Sequence, residues 1–298
     1  MIKFTLKKYI KFRNYRERNK NLLPKTRKES VLMAMGMPYL NYNAVSFFSN
    51  VWVLYSGKLR KSDFSEWEKE IYDEFLKEVE TCSNSFSSAA RIFSFSFTAK
   101  SILKSDWGIK NRNTALETLE WLESEGHRKE LHNILKWKDK LKTREIETIK
   151  EFLKDAYEND IFVSYYLSEF DSFDFDEKEL KRSNFYKELS YNLNFIEKFE
   201  KDIPNCGILA WDMARYVNLL RMCREAGYIN VDECWELLGR VKEECFENIE
   251  NWTDFAKSFG LGRKYWLRNN FDGYHTPESE CKGILDDKYS SWNHFKWR

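Results

Sequence analysis

The stretch Leu209-Ala-Trp-Asp-Met-Ala-Arg-Tyr-Val-Asn-Leu-Leu-Arg-Met-Cys-Arg-Glu-Ala-Gly227-Tyr-Ile-Asn230 decides the fold class of this chain. Leu209, Met213, Val217 and Leu220 recur at spacings of four, four and three, the apolar stripe of a helix. Gly227 suits the left-handed position that ends a helix, and Asn230 suits the cap of the next. That second helix runs through Trp235, Leu238, Val241, Cys245 and Ile249, and the two make an αα-hairpin. Only 4 prolines and 11 glycines punctuate the chain, too few for the turns of a sandwich or barrel. The expected class is all-α, a multi-helix domain built from αα-hairpins.

The same grammar extends outward. Asp63 and Glu66 have capping-box spacing ahead of Phe64, Trp67, Ile71, Phe75 and Val79, and residues 86–103 read as a second, more apolar helix. Thr114 and Glu117 repeat the spacing and start a helix through Leu116, Leu119 and Leu122 that stops at Gly126, with Trp107-Gly108-Ile109 as its entry turn. Further helices are expected at about 127–137, from Thr143 through Ile146, Ile149, Phe152, Leu153 and Ala156, and at about 177–200. Pro204-Asn-Cys-Gly207 makes a turn, and a helix near Thr253 carries Phe255, Phe259, Gly262 and Trp266. No fixed-period repeat is present, which disfavours a solenoid.

Net charge is +1, but residues 1–28 hold eleven Lys and Arg against Glu17 alone. The expected organisation is a basic N-terminal arm at 1–28 and a single helical domain at 29–298. Phe4, Tyr9, Ile10, Phe12 and Tyr15 interleave the arm's cations, which suits nucleic-acid backbone, an anionic membrane surface or docking against the acidic body. The first residues are too charged for a secretory signal, and nowhere do ~18 to 20 apolar residues run uninterrupted, so a cytoplasmic location is expected. Six cysteines without a Cys-x-x-Cys pair read as reduced packing residues, and neither a metal nor a cofactor is expected.

Trp107-Gly108-Ile109, Leu119-Glu-Trp-Leu122, Gly126-His127-Arg128, Trp211-Asp212 with Arg215, Ala226-Gly227-Tyr228, Trp235, Trp252, Gly262-Arg263 with Trp266, and Leu285-Asp-Asp with Ser291-Trp292 and Trp297 occur in fixed order. Over roughly residues 101–298 this set resembles the bacterial family catalogued as domain of unknown function 1266. The resemblance implies a helical fold and no reaction. Such proteins tend to carry Ser-Pro-Trp where this chain has Ser290-Ser291-Trp292.

Two functional readings follow. In the first, the motif residues Trp107, Gly126, His127, Arg128, Trp211, Asp212, Arg215, Gly227, Trp252, Arg263, Trp266 and Trp292 build architecture. Arg215 then bonds Asp212 and lies on Trp211, while His127 caps the carbonyls of the helix ending at Gly126. The protein is then a non-catalytic binding factor of the immunity or antitoxin kind. Its acidic and aromatic stretch Glu169, Phe170, Asp171, Phe173, Asp174, Phe175 and Asp176 meets a basic partner such as a toxin nuclease, and nucleic acid is a partner only through the arm. In the second reading, Asp212, Arg215, Arg263 and His127 line the pocket of a hydrolase or nucleotide-processing enzyme.

Overall fold

A computed structural model describes residues 20–39, 96–157, 170, 175–268, 277–286 and 290–298, and those residues contain helices, turns and no strand. In chain order the helices are α1 Arg27–Ala34, α2 Ser96–Trp107, α3 Arg112–Ser124, α4 Gly126–Leu141, α5 Ile146–Tyr157, α6 Glu177–Arg182 and α7 Asn184–Phe199. They continue as α8 Leu209–Ala226, α9 Val231–Arg240, α10 Lys242–Asn248, α11 Trp252–Leu267, α12 Pro277–Asp286 and α13 Ser291–His294. The chain is all-α. The helix expected at 63–79 lies outside the described residues. Of that expected at 86–103, the described part begins at Ser96 and runs on to Trp107.

α8 is the axle. Every residue of it except Met222 is buried, so the single apolar stripe expected from its sequence is in fact burial on all sides. α2, α3 and α11 pack most closely around it, with α4, α9 and α10 completing the shell. Gly262 of α11 permits one of these approaches, because a Cβ there would lie 2.3 Å from Cβ of Trp211.

Several boundaries differ from the sequence expectation for local reasons. α3 is capped by Asn111, which trades side-chain and backbone hydrogen bonds with Thr114, so the cap lies three residues before the expected one. The expected helix at 177–200 is broken at Ser183, whose extended backbone ends α6 and whose Oγ accepts from the Tyr186 amide to start α7. The helix expected through Ile249 divides at Val241 into α9 and α10. Asn230 caps α9 as expected, in a reciprocal box with Glu233, and Gly227 (φ +79°) terminates α8.

Residues 20–28, the described end of the expected arm, are built into the body. Leu22 is buried, Thr26 and Glu29 form the capping box of α1, and the Trp235 indole donates to Asn21 O at 2.9 Å. The carbonyls at the end of α1 are met by side chains from elsewhere. Arg221 donates to Met33 O at 2.8 Å and Trp292 Nε1 to Ala34 O at 2.8 Å. Trp292 in turn stacks on Trp252 with ring centres 5.0 Å apart, and Trp297 meets Trp252 edge-on at 4.7 Å.

The short helix α13 offers a direct test of this packing. Ser290 and Ser291 are buried, and among the described residues neither hydroxyl has a hydrogen-bond partner. Ser291 is the first helical residue, where the amide is not needed by the helix, and Ser290 (φ −69°, ψ 149°) already has the backbone that a following proline demands. Ser291→Pro is expected to raise stability by about 0.5 to 1 kcal/mol, read as a higher denaturant midpoint with an unchanged slope. A lower midpoint would show that the Ser291 hydroxyl or amide is used.

Candidate functional site

α3 ends and α4 begins at Gly126, whose φ of +58° reverses the chain. The first amides of α4 need acceptors, yet Glu125, the residue in the capping position, makes no side-chain capping bond. Asp212 of α8 supplies the cap from across the fold. Its Oδ1 accepts from the His127 amide at 3.3 Å and its Oδ2 from the Arg128 amide at 3.0 Å. Asp212 is 0% exposed, and it also accepts from Arg215 Nη2 at 2.5 Å and Arg128 Nη1 at 3.3 Å. Gly126 is required twice over, since a Cβ there would sit 2.2 Å from Asp212 Oδ2.

Both arginines reach further. Arg128 turns back on the end of α3, donating from Nη1 to Leu122 O at 2.7 Å and from Nη2 to Glu123 O, and it pairs with Glu244 of α10. Arg215 lies inside a ring of indoles, its guanidinium 5.8 Å from the centre of Trp107, 5.6 Å from Trp121 and 5.1 Å from Trp211. Its Nε has no hydrogen-bond acceptor, so the negative faces of the rings are what compensate the buried cation. Trp266 extends this stack outward, 6.0 Å from Trp211 and 53% exposed.

His127 does not take the capping role expected of it. Arg128, the longer side chain, takes the α3 carbonyls, while the imidazole lies edge-on to Trp121 at 5.3 Å. What His127 gives Asp212 is its backbone amide. Burial first, and then the charge of Arg215, push the imidazole pKa from 6.5 down to about 3, with Asp212 opposing. The ring is therefore neutral near pH 7. Arg263 is half-buried on α11 and is not among the groups that bond Asp212.

Of the acidic and aromatic stretch, Glu169, Asp171, Phe173 and Asp174 lie outside the described residues. Phe175 is buried rather than presented as an anchor: Phe170 stacks on it at 4.2 Å and the Lys150 ammonium covers it at 5.4 Å. Asp176 is exposed but occupied, its carboxylate accepting from the Glu179 amide at 2.8 Å as the cap of α6.

A second polar centre went unread in the sequence. Glu130 Oε1 accepts from Asn192 Nδ2 at 2.8 Å and from Tyr265 OH at 2.7 Å, tying α4, α7 and α11. Burial, then the nearby Glu130, hold the Tyr265 hydroxyl well above its usual range and so neutral. The only trace of this site in the sequence is an acidic residue four before Ile134 on the buried face of α4. Among the described residues no three His, Cys, Asp or Glu side chains are grouped to share a metal ion.

Residues 102–297 match the family described as Protein of unknown function (DUF1266). The chain belongs to this family. No curated protein and no solved structure matches it. Trp107, Gly126, Arg128, Trp211, Asp212 and Arg215 all fall within the family match and gather around the Asp212–Arg215 pair, whereas α1 lies outside the match and is nonetheless clamped by Arg221 and Trp292 from within it.

Two measurements test this geometry. Asp212→Ala leaves a buried guanidinium and two helix amides without an acceptor, and is expected to cost about 3 to 5 kcal/mol in chemical denaturation; a cost below about 1 kcal/mol would mean that the carboxylate does not hold α4. For His127 the unfolded chain binds more protons than the folded one between pH 6.5 and about 3. Its contribution to stability is accordingly complete above pH 6.5 and is lost as pH falls, by at most about 2 kcal/mol at pH 5. His127→Phe keeps a ring against Trp121 and should flatten the stability profile between pH 7 and 5; an equally steep profile in the variant would place the slope elsewhere.

Proposed function

We propose that this protein is a non-catalytic binding factor of the immunity or antitoxin kind, acting in the bacterial cytoplasm to bind and neutralise a basic toxin such as a nuclease. The supporting observation is what the motif residues are used for. Asp212 is wholly buried and has four donors on its two oxygens, Arg215 is enclosed by three indoles, and His127 is neutral with its ring against Trp121. A hydrolase or nucleotide-processing centre on Asp212, Arg215, Arg263 and His127 requires an open pocket where a substrate meets the carboxylate. Asp212 and Arg215, at 0% and 6% exposure, face inward instead.

The partner surface in this reading is the stretch at 169–176. Phe175 and Asp176 attach it to the body by burial and by capping α6, and its other charges in the sequence are Glu169, Asp171 and Asp174. Paired with Phe170 and Phe173, they give alternating charge and ring, suited to steering a cationic protein and then holding it.

Capture of the full-length chain from cells of its source is expected to recover a basic protein in stoichiometric amount. Reversing Asp171 and Asp174 to Lys leaves the Asp176 cap intact, and is expected to slow association about tenfold at low salt, with the difference shrinking as salt is raised. Recovery of no stoichiometric partner would overturn the binding reading, while a recovered partner with an unchanged association rate would move the interface off this stretch.

A further inference from the structure

The first half of α4, the turn ahead of α8 and the helix α10 enclose a cleft of about 400 Å³, within the size range of small-ligand sites. Its floor is apolar: Leu131, Ile208 and Leu209 are buried, and Leu135 and Ile203 are half-buried beside them. Its rim is charged. Arg128 and His132, four residues apart and so on one face of α4, border it, and Glu244 stands opposite.

Arg128 is the informative group. Its side chain is 15% exposed, and its bonds to Leu122 O, Glu123 O and Asp212 all point into the protein. Its remaining contact is Glu244 at 3.2 Å, a carboxylate from another helix that is 36% exposed and reaches the guanidinium at the rim. A carboxylate already occupies the outer position on a mostly buried guanidinium, directly above an apolar floor. The Glu244 carboxylate is held through Nη2 alone, a charge-assisted contact, and the pair is exposed enough to exchange with solvent groups.

We propose that this cleft binds an amphipathic carboxylate, a short apolar group ending in a carboxyl, whose oxygens displace Glu244 from Arg128 and meet His132 while the apolar part covers Leu135 and Ile203. The chemistry is met equally by a free apolar acid and by the C-terminal residue of a peptide. The site is independent of the toxin-binding reading and uses none of residues 169–176. Cys206 lines the same cleft, and its half-buried thiol, held neutral by burial, serves as a reporter of occupancy.

Calorimetric titration of the full chain with N-acetyl-L-leucine is expected to give saturable binding, about tenfold tighter than N-acetyl-L-leucinamide, which lacks the carboxylate. Iodoacetamide labelling of Cys206, followed by peptide mass, should slow in parallel. A tetrapeptide ending in leucine, with free or amidated C-terminus, separates the sources: a tighter free-acid peptide identifies a chain end, and a peptide weaker than the single residue identifies a free acid. Replacing Arg128 would loosen α4 and prove nothing, so the rim is tested by Glu244→Gln, expected to tighten binding several-fold by removing the competitor, and by His132→Ala, expected to weaken it. Equal affinity for acid and amide, undiminished Cys206 labelling at millimolar ligand, or unchanged affinity in both variants with parental melting would overturn the proposal.

Discussion

The carboxylate of Asp212 is the constraint on which the rest of the structure depends. A helix that begins without a capping side chain of its own leaves amides that must be satisfied elsewhere, and α4 is such a helix. By accepting two of those amides, Asp212 fixes α4 relative to α8, and it accepts from Arg215 and Arg128 as well. Each partner then has its own consequence. Arg215 draws Trp107, Trp121 and Trp211 around it, and Arg128 binds the end of α3 and reaches α10. Gly126 follows from the same cause, because only a residue without Cβ lets the carboxylate this close. A buried pair of this sort is poor evidence for net stability, since its desolvation offsets its attraction. What it does provide is orientation: a carboxylate with four directed donors holds in one geometry.

The same helix carries a further charge problem. Arg221 is buried on α8 with Nε and Nη1 unpartnered, and burial lowers its pKa to about 9. Its position at the end of α1 is the compensation, because the carbonyl end of a helix favours a cation and Met33 O accepts directly from it. Gly36 is packed against the guanidinium, 3.0 Å from Nη1 to where a Cβ would stand. α1 is therefore a structural member of the body, although it lies outside the family match. A chain in which residues 20–39 were absent would uncover α8 around Val217 and Arg221 and leave Arg221 without its Met33 acceptor.

What was legible in the sequence was local. The turn at Trp107-Gly108-Ile109, the left-handed positions at Gly126 and Gly227 and the Asn230 cap each rest on a backbone requirement that few residue types meet. The contact between Asp212 and Arg215 was also readable, being one turn apart on a single helix. The cap that Asp212 places on α4 was not, because it joins residues more than eighty positions apart and no periodicity carries it. Glu130 with Asn192 and Tyr265 escaped for the same reason. Phe175, set among acids in the sequence, is buried, with Phe170 of the same stretch stacked on it and Lys150 of α5 over its ring. Asn111 and Thr114 were ambiguous in a different way, since both ends of a capping box carry capping side chains.

These placements bear on how function is distributed over the molecule. Residues that recur as a family signature invite assignment to an active site, yet here the most distinctive of them meet at an interior carboxylate and are consumed in holding α3, α4, α8 and α10 together. At its surface the body carries groups of different character: a charged rim over an apolar floor beside Arg128, and Phe175 and Asp176 at the end of the acidic stretch. Arg128 belongs to both levels, since one side of its guanidinium completes the interior and the other borders the cleft. A ligand that displaced Glu244 would leave the contacts to Asp212, Leu122 and Glu123 in place, so the scaffold can tolerate exchange at that rim without losing the carboxylate on which it is built.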